Sequence, residues 1–233
     1  MADRPPTPPR KVQAPKVRQH ERRPAEVADR KKRALLYAVS SAGLGALVVV
    51  VFVLARGGGG AGDESAVAAA MRKAGCTLKS VPAQKGEHLD SLEAKPKHNS
   101  TPPSSGPHYF ETAPWGTYDD PVSALRLVHN LEHGGVVIQY GPKAPDGAAD
   151  ALVSFWRDDP NGMTVSPLPS LGDKIALAAW TVEDGRAREK DYHGEGRVAT
   201  CPRFDQKAFE TFREEFRFKG PERFPEDALE PGE

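Results

Sequence analysis

The chain has 233 residues, of which 32 are basic and 32 acidic, and 38% are hydrophobic. That length suits one moderate domain with appendages better than two full domains. The balanced total by itself says nothing about partners. The balance is uneven along the chain, however: residues 1–33 hold eleven Lys/Arg against four Asp/Glu, leaving 21 basic and 28 acidic residues in the rest.

Residues 1–33 have almost no large apolar side chains and no aromatic ones. They cannot bury enough surface to offset chain entropy, so a disordered basic tail is expected, with no nucleic-acid role. Residues 34–55 (ALLYAVSSAGLGALVVVVFVLA) are uncharged. They reach the roughly 20 residues needed to cross a hydrocarbon core. Arg30, Lys31, Lys32 and Arg33 precede this run, and only Arg56 follows it closely. The positive-inside rule then predicts a single-pass anchor in the lipid bilayer, with the amino end cytoplasmic and the remainder extracytoplasmic. A cleavable signal peptide ending near Ala55 is the competing reading.

Residues 56–62 form a glycine-rich linker, and a domain is expected over 63–225, followed by a flexible tail over 226–233. Asp63 as N-cap, basic residues near the end and Gly75 as the stop predict a short helix over 64–74. Residues 77–81 read as a strand. Residues 82–121 are rich in Pro, Gly, Ser and His without periodicity, and irregular stretches this long inside a domain are commonly functional. A helix is predicted over 123–133, a buried strand over 136–140 and an amphipathic helix over 147–157. Strands over 163–168 and 175–182 are joined by a Pro-Ser-Leu-Gly-Asp turn. A last helix over 205–218 carries Phe209, Phe212 and Phe216 at spacings of three and four. This order predicts an α+β domain, a small mixed sheet with flanking helices, consistent with a thioredoxin-like outline.

Both cysteines, Cys76 and Cys201, fall on the predicted outer side, where a disulfide is the ordinary fate of such a pair. Two buried thiols are the alternative; the spacing rules out a Cys-x-x-Cys redox motif.

The chemistry concentrates in His129-Asn130-Leu131-Glu132-His133. Histidines at i and i+4 share a helix face, so both imidazoles can meet one ion or substrate. Neutral imidazole is the commonest protein ligand for zinc and copper, and a site needs three or four converging donors. The stiff Pro-Pro-Ser-Ser-Gly-Pro run suits delivery of His108 to that pair, and His88 is a candidate fourth ligand. Glu132 would orient a ligating imidazole, pair with Arg126 or cap a loop N–H. His98 and His193 are expected to be solvated. Trp115, Tyr109 and Tyr118 either line a pocket or form the loop's own core.

Three function classes follow. The favoured one is a transition-metal-binding domain, for copper or zinc, using His108, His129, His133 and His88. His-x-x-Glu-His also matches an inverted zincin pattern, in which Glu132 would be the catalytic base of a metal-dependent hydrolase. That reading needs a downstream acid, with Glu183, Glu189, Glu195 or Glu210 as candidates, and Gly134-Gly135 would leave His133 at a frayed helix end. The third class is a metal-free extracytoplasmic interaction module.

Several segments together resemble a known family. They are Gly86-Glu87-His88, Pro102-Pro103-Ser104-Ser105-Gly106-Pro107-His108-Tyr109, Trp115-Gly116-x-Tyr118 and Val128-His129-Asn130-Leu131-Glu132-His133-Gly134. Val136-Val137-Ile138-x-Tyr140, Ala178-Ala179-Trp180 and Gly220-Pro221-Glu222 complete the pattern. In combination they resemble the bacterial domain-of-unknown-function family 3105 over residues 65–225. The resemblance implies a membrane-anchored or exported domain and carries no established activity.

Overall fold

The computed structural model describes residues 65–184, 186, 191 and 193–232. The basic tail, the apolar run 34–55 and the glycine linker lie outside the described residues. Among those described, no helix is long and apolar enough to cross a membrane.

The first helix, α1 (Ala66–Lys73), starts at Ser65, whose hydroxyl accepts the Ala68 N–H, rather than at Asp63. Then come β1 (Thr77–Pro82), β2 (His88–Leu89), β3 (His108–Tyr109) and β4 (Gly116–Thr117). Next are α2 (Ala124–Glu132), β5 (Val136–Tyr140), α3 (Ala148–Asp158) and β6 (Met163–Pro167). The order closes with β7 (Ile175–Thr181), β8 (Glu195–Cys201) and α4 (Gln206–Phe216). The class is mixed α+β, as expected.

Six strands form one sheet in the order β1-β8-β7-β5-β6-β4. β5 and β6 are parallel, with α3 between them in sequence, while β7 pairs antiparallel with β5 and β8 antiparallel with β7. The Pro-Ser-Leu-Gly-Asp turn therefore does not close a hairpin between β6 and β7: it carries the chain past β5, which pairs with both. β8 has no counterpart among the strands expected from sequence. Its half-buried Glu195, Arg197 and Thr200 interrupt the buried Gly196, Val198, Ala199 and Cys201, so no clean alternation shows in the sequence.

Period-two alternation divides the core between the two faces of the sheet. Val136, Ile138, Leu177 and Ala179 face α1, α3 and α4, where Met71, Leu152, Phe155, Phe209 and Phe212 pack. Val137, Ala178 and Trp180 point to the opposite face and meet Leu127, Val128 and Leu131 of α2 with Tyr118 and Val122. The disulfide Cys76–Cys201, Cα atoms 4.2 Å apart, joins the residue before β1 to the end of β8. The Thr77↔Thr200 register sets the two cysteines side by side. The carboxy-terminal segment is packed rather than a flexible tail. Leu229 is buried, its carbonyl accepts the Gly162 N–H, and the Gly232 N–H reaches the Trp115 carbonyl.

Candidate metal centre

The site forms where the loop between β1 and α2 folds over α2. Asn130, fully buried, holds the loop with two bonds: its Oδ1 accepts the Ala113 N–H at 2.9 Å and its Nδ2 donates to the Ala113 carbonyl at 2.8 Å. Trp115 and Tyr118 are core residues of this loop rather than pocket walls. The loop contains a two-residue parallel ladder in which His88 pairs with His108 and Leu89 with Tyr109. That ladder sets two imidazoles side by side above the helix. It is too short for periodicity to reveal.

Helix α2 supplies the other donors. His129 and Glu132 lie on one face, with His133 as the C-cap residue. The end is not frayed. Gly134, at φ +92°, donates to Leu131 and Gly135 donates to Asn130, the paired bonds of a Schellman cap. A side chain at Gly135 would overlap the Trp115 ring, so both glycines have a steric reason to be there.

Four imidazoles consequently share one small volume. The His88–His108, His88–His129, His108–His129 and His129–His133 centroids are 4.9, 4.9, 4.7 and 4.6 Å apart. Two donor sets result: His88, His108, His129 and Glu132; and His129, His133 and Glu222, with ligand atoms inside 4.8 Å of one another in each. The structure thus brings together all four histidines singled out by sequence, adds Glu132 as a donor and adds Glu222, which sequence reasoning missed. Gly220-Pro221-Glu222 belongs to the family pattern, but neither spacing nor periodicity marks Glu222 as a ligand. It arrives because the 218–222 segment straps onto the end of α2, where the Phe218 N–H donates to Gly134 and the Glu222 N–H to Glu132.

The hydrogen bonds define which ring nitrogens are free. His129 Nδ1 lies 3.0 Å from the Tyr109 carbonyl and His108 Nδ1 lies 2.8 Å from the Gly106 carbonyl. Both Nδ1 atoms therefore carry protons in the neutral rings, and both Nε2 atoms present lone pairs inward. His108 Nε2 sits 3.0 Å from Glu132 Oε2, and His88 Nε2 3.6 Å from the same oxygen. Although the first pair is within ion-pair distance, both atoms are buried without an aligned hydrogen bond. Both atoms belong to one set of four donors whose ligand atoms lie within 4.8 Å of one another. Separations near 3.3 Å are the edges of a tetrahedron around an ion with bonds of roughly 2.0–2.1 Å.

Burial alone would lower the His108 pKa, but the Glu132 carboxylate overrides it and holds the ring above its ordinary value. Burial would likewise raise Glu132, and His108 above all holds it below the usual carboxylate range. Burial, with the neighbouring imidazoles, pushes His129 down to about 4. His133 is lowered by burial, partly offset by Glu222, whose Oε2 lies 3.3 Å from its Nε2. His129 is thus held as a neutral base at physiological pH, beside an ionised carboxylate.

The remaining candidates sort plainly. Arg126 pairs with Glu111 at 2.6 Å and not with Glu132. His98 is half-buried rather than solvated, its Nε2 3.0 Å from the Pro107 carbonyl behind His108. The His193 carbonyl accepts the Trp180 indole N–H. A cavity of about 450 Å³ lies elsewhere, beside Thr181, Glu195, Arg197 and Glu215, and none of the clustered histidines lines it.

Fold and site together define an α+β domain with a partly buried histidine–carboxylate cluster on one face of its sheet. The chain belongs to the DUF3105 family, described as "Protein of unknown function", whose sequence profile matches residues 91–228. No curated protein and no solved structure matches it.

Proposed function

We propose that this protein is a membrane-anchored, extracytoplasmic metal-binding domain that holds one divalent transition ion, zinc or copper, through His88, His108, His129 and Glu132. The observation that carries the reading is the convergence of His88, His108, His129 and Glu132, whose ligand atoms lie within 4.8 Å of one another, with His108 Nε2 and Glu132 Oε2 buried 3.0 Å apart. Imidazole donors suit zinc and copper alike. The basic residues before the apolar run 34–55 support the anchor and its orientation. The Cys76–Cys201 disulfide supports an oxidising compartment outside the cytoplasm. The strand order β6-β5-β7-β8, with α3 and α4 in place, supports a thioredoxin-like outline in which the metal cluster sits on the α2 face.

A second reading, a metal-dependent hydrolase, gains support from one observation. His129, His133 and Glu222 match the two-histidine-plus-acid ligand set of the His-x-x-Glu-His pattern, with Glu222 in the position for which Glu183, Glu189, Glu195 and Glu210 were considered. Against it, the Glu132 carboxylate is engaged by His108 and His88 rather than free for a water. Loading the full chain with zinc or copper and comparing Glu132→Gln separates the two. The binding reading predicts a loss of affinity of about 10–100-fold with no turnover in either protein. Hydrolysis of a peptide or ester panel by the parent alone, with metal retained in Glu132→Gln, selects the hydrolase.

A further inference from the structure

The two donor sets meet at a single side chain. His129 belongs to the set with His88, His108 and Glu132 and to the set with His133 and Glu222. Its Nδ1 is committed to the Tyr109 carbonyl at 3.0 Å, which leaves one lone pair, on Nε2. One lone pair binds one ion, so the two sets cannot be filled together without breaking that bond. They also differ in access. In the first set His108 is fully buried and Glu132 nearly so, His88 alone is half exposed at 50%, and four donors complete a tetrahedral shell. In the second, Glu222 is 49% exposed and His133 17% exposed, and three donors leave a position for a ligand from outside. The Phe224 ring, 4.2 Å from that of His133, holds the outer imidazole in place, and the Glu222 N–H to Glu132 carbonyl bond fixes the strap that carries the outer carboxylate.

We infer that the protein has two stations for a single ion, an inner resting site and an outer exchange site, with His129 Nε2 as the ligand common to both. An ion leaving the inner site keeps its bond to His129 while His133 and Glu222 replace His88, His108 and Glu132. The open outer position then takes a donor atom from the accepting molecule, a chelating carrier bearing imidazole, thiolate or carboxylate groups. Shared ligation keeps the ion from being released to water at any point.

This inference rests on the metal-binding reading, and one experiment distinguishes failure of the two. The full chain is loaded with zinc, its stoichiometry is measured, and transfer to excess 4-(2-pyridylazo)resorcinol is followed by stopped-flow absorbance for the parent, Glu222→Gln and His133→Gln. One zinc per chain is expected in all three, with equilibrium affinities within about threefold of one another. Transfer should slow by about tenfold or more in both variants, equivalent to ~1.4 kcal/mol of barrier. Two zinc ions per parent chain overturn the shared-ligand argument. Unchanged transfer rates overturn the exchange role, and an affinity loss that parallels the rate change makes the outer set the resting site instead. A parent that binds no zinc or copper removes the metal reading itself, and this inference with it.

Discussion

Gly86 offers a test of the site that leaves its ligands chemically intact. A Cβ at this position would overlap Glu132 Oε1 and lie 3.4 Å from Glu132 Cδ, with Trp180 Cη2 at 3.3 Å on the other side. Trp180 is 1% exposed and cannot retreat without opening the core on the α2 face. The carboxylate is the end of a flexible side chain, so it gives way, and the overlap must open by roughly 1 Å to reach ordinary contact spacing. A movement of that size takes Oε2 out of its place beside His108 and His88. Gly86→Ala should therefore lower zinc or copper affinity by about 10–100-fold, the range seen when a site's supporting geometry is disturbed. The cost to the metal-free fold should stay within the ~1–3 kcal/mol typical of overpacking. Competition against a chelator of known affinity reads the first quantity, and thermal unfolding of the metal-free protein the second. A folded Gly86→Ala protein with the parent's metal affinity would refute the placement of Glu132 at the ion.

Other perturbations separate the site from the scaffold. Breaking Cys76–Cys201, which closes a loop of sequence separation 125, should destabilise the domain by about 4–5 kcal/mol in calorimetry. Metal stoichiometry should persist wherever the reduced protein remains folded, because the cluster lies on the opposite face of the sheet. Asn130→Ala strips the partners from a buried N–H and a buried carbonyl at Ala113 and should cost about 2–4 kcal/mol in denaturant unfolding, with loss of metal affinity as the loop lifts. In the metal-free protein, NMR of the ring protons should show His129 neutral down to about pH 4, with His108 titrating above its ordinary value of 6.5. The signs are opposite. Between pH 6.5 and 4 the unfolded chain takes a proton on His129 that the fold refuses, so this residue's contribution to stability falls as pH falls. The His108 contribution is complete below pH 6.5 and disappears as pH rises through its raised folded value. A His129 that titrates normally would remove the argument that burial keeps it ready as a ligand.

Sequence periodicity reads well where one pattern runs over enough residues. The helices with their aliphatic and phenylalanine stripes, the β5 run and the β7 run all stand where hydrophobic spacing puts them. β8 escapes because Glu195, Arg197 and Thr200 interrupt its apolar residues at no regular period, and Gly196 adds a residue that favours turns. The turn after β6 is legible, but not the pairing of its flanking strands, because local signals do not say which strand lies between two others. At the site, His129, Glu132 and His133 are legible because helix spacing places them together within five residues. His88 and His108 are legible as candidates only, since the ladder that pairs them is two residues long. Glu222 was beyond reach, because only the strap over Gly134 brings it to His133 across 89 positions of chain. The Schellman cap corrects the expectation of a frayed end. Two glycines that look like a helix breaker are what hold His133 still.

The most direct measurement is metal content of the purified full chain after exposure to zinc and copper, by elemental analysis. A His108→Gln/His129→Gln double variant is carried through in parallel and checked for fold by circular dichroism. The account predicts one ion per parent chain and none in the folded variant. A well-folded parent free of metal, or a variant that keeps the full complement, would contradict it.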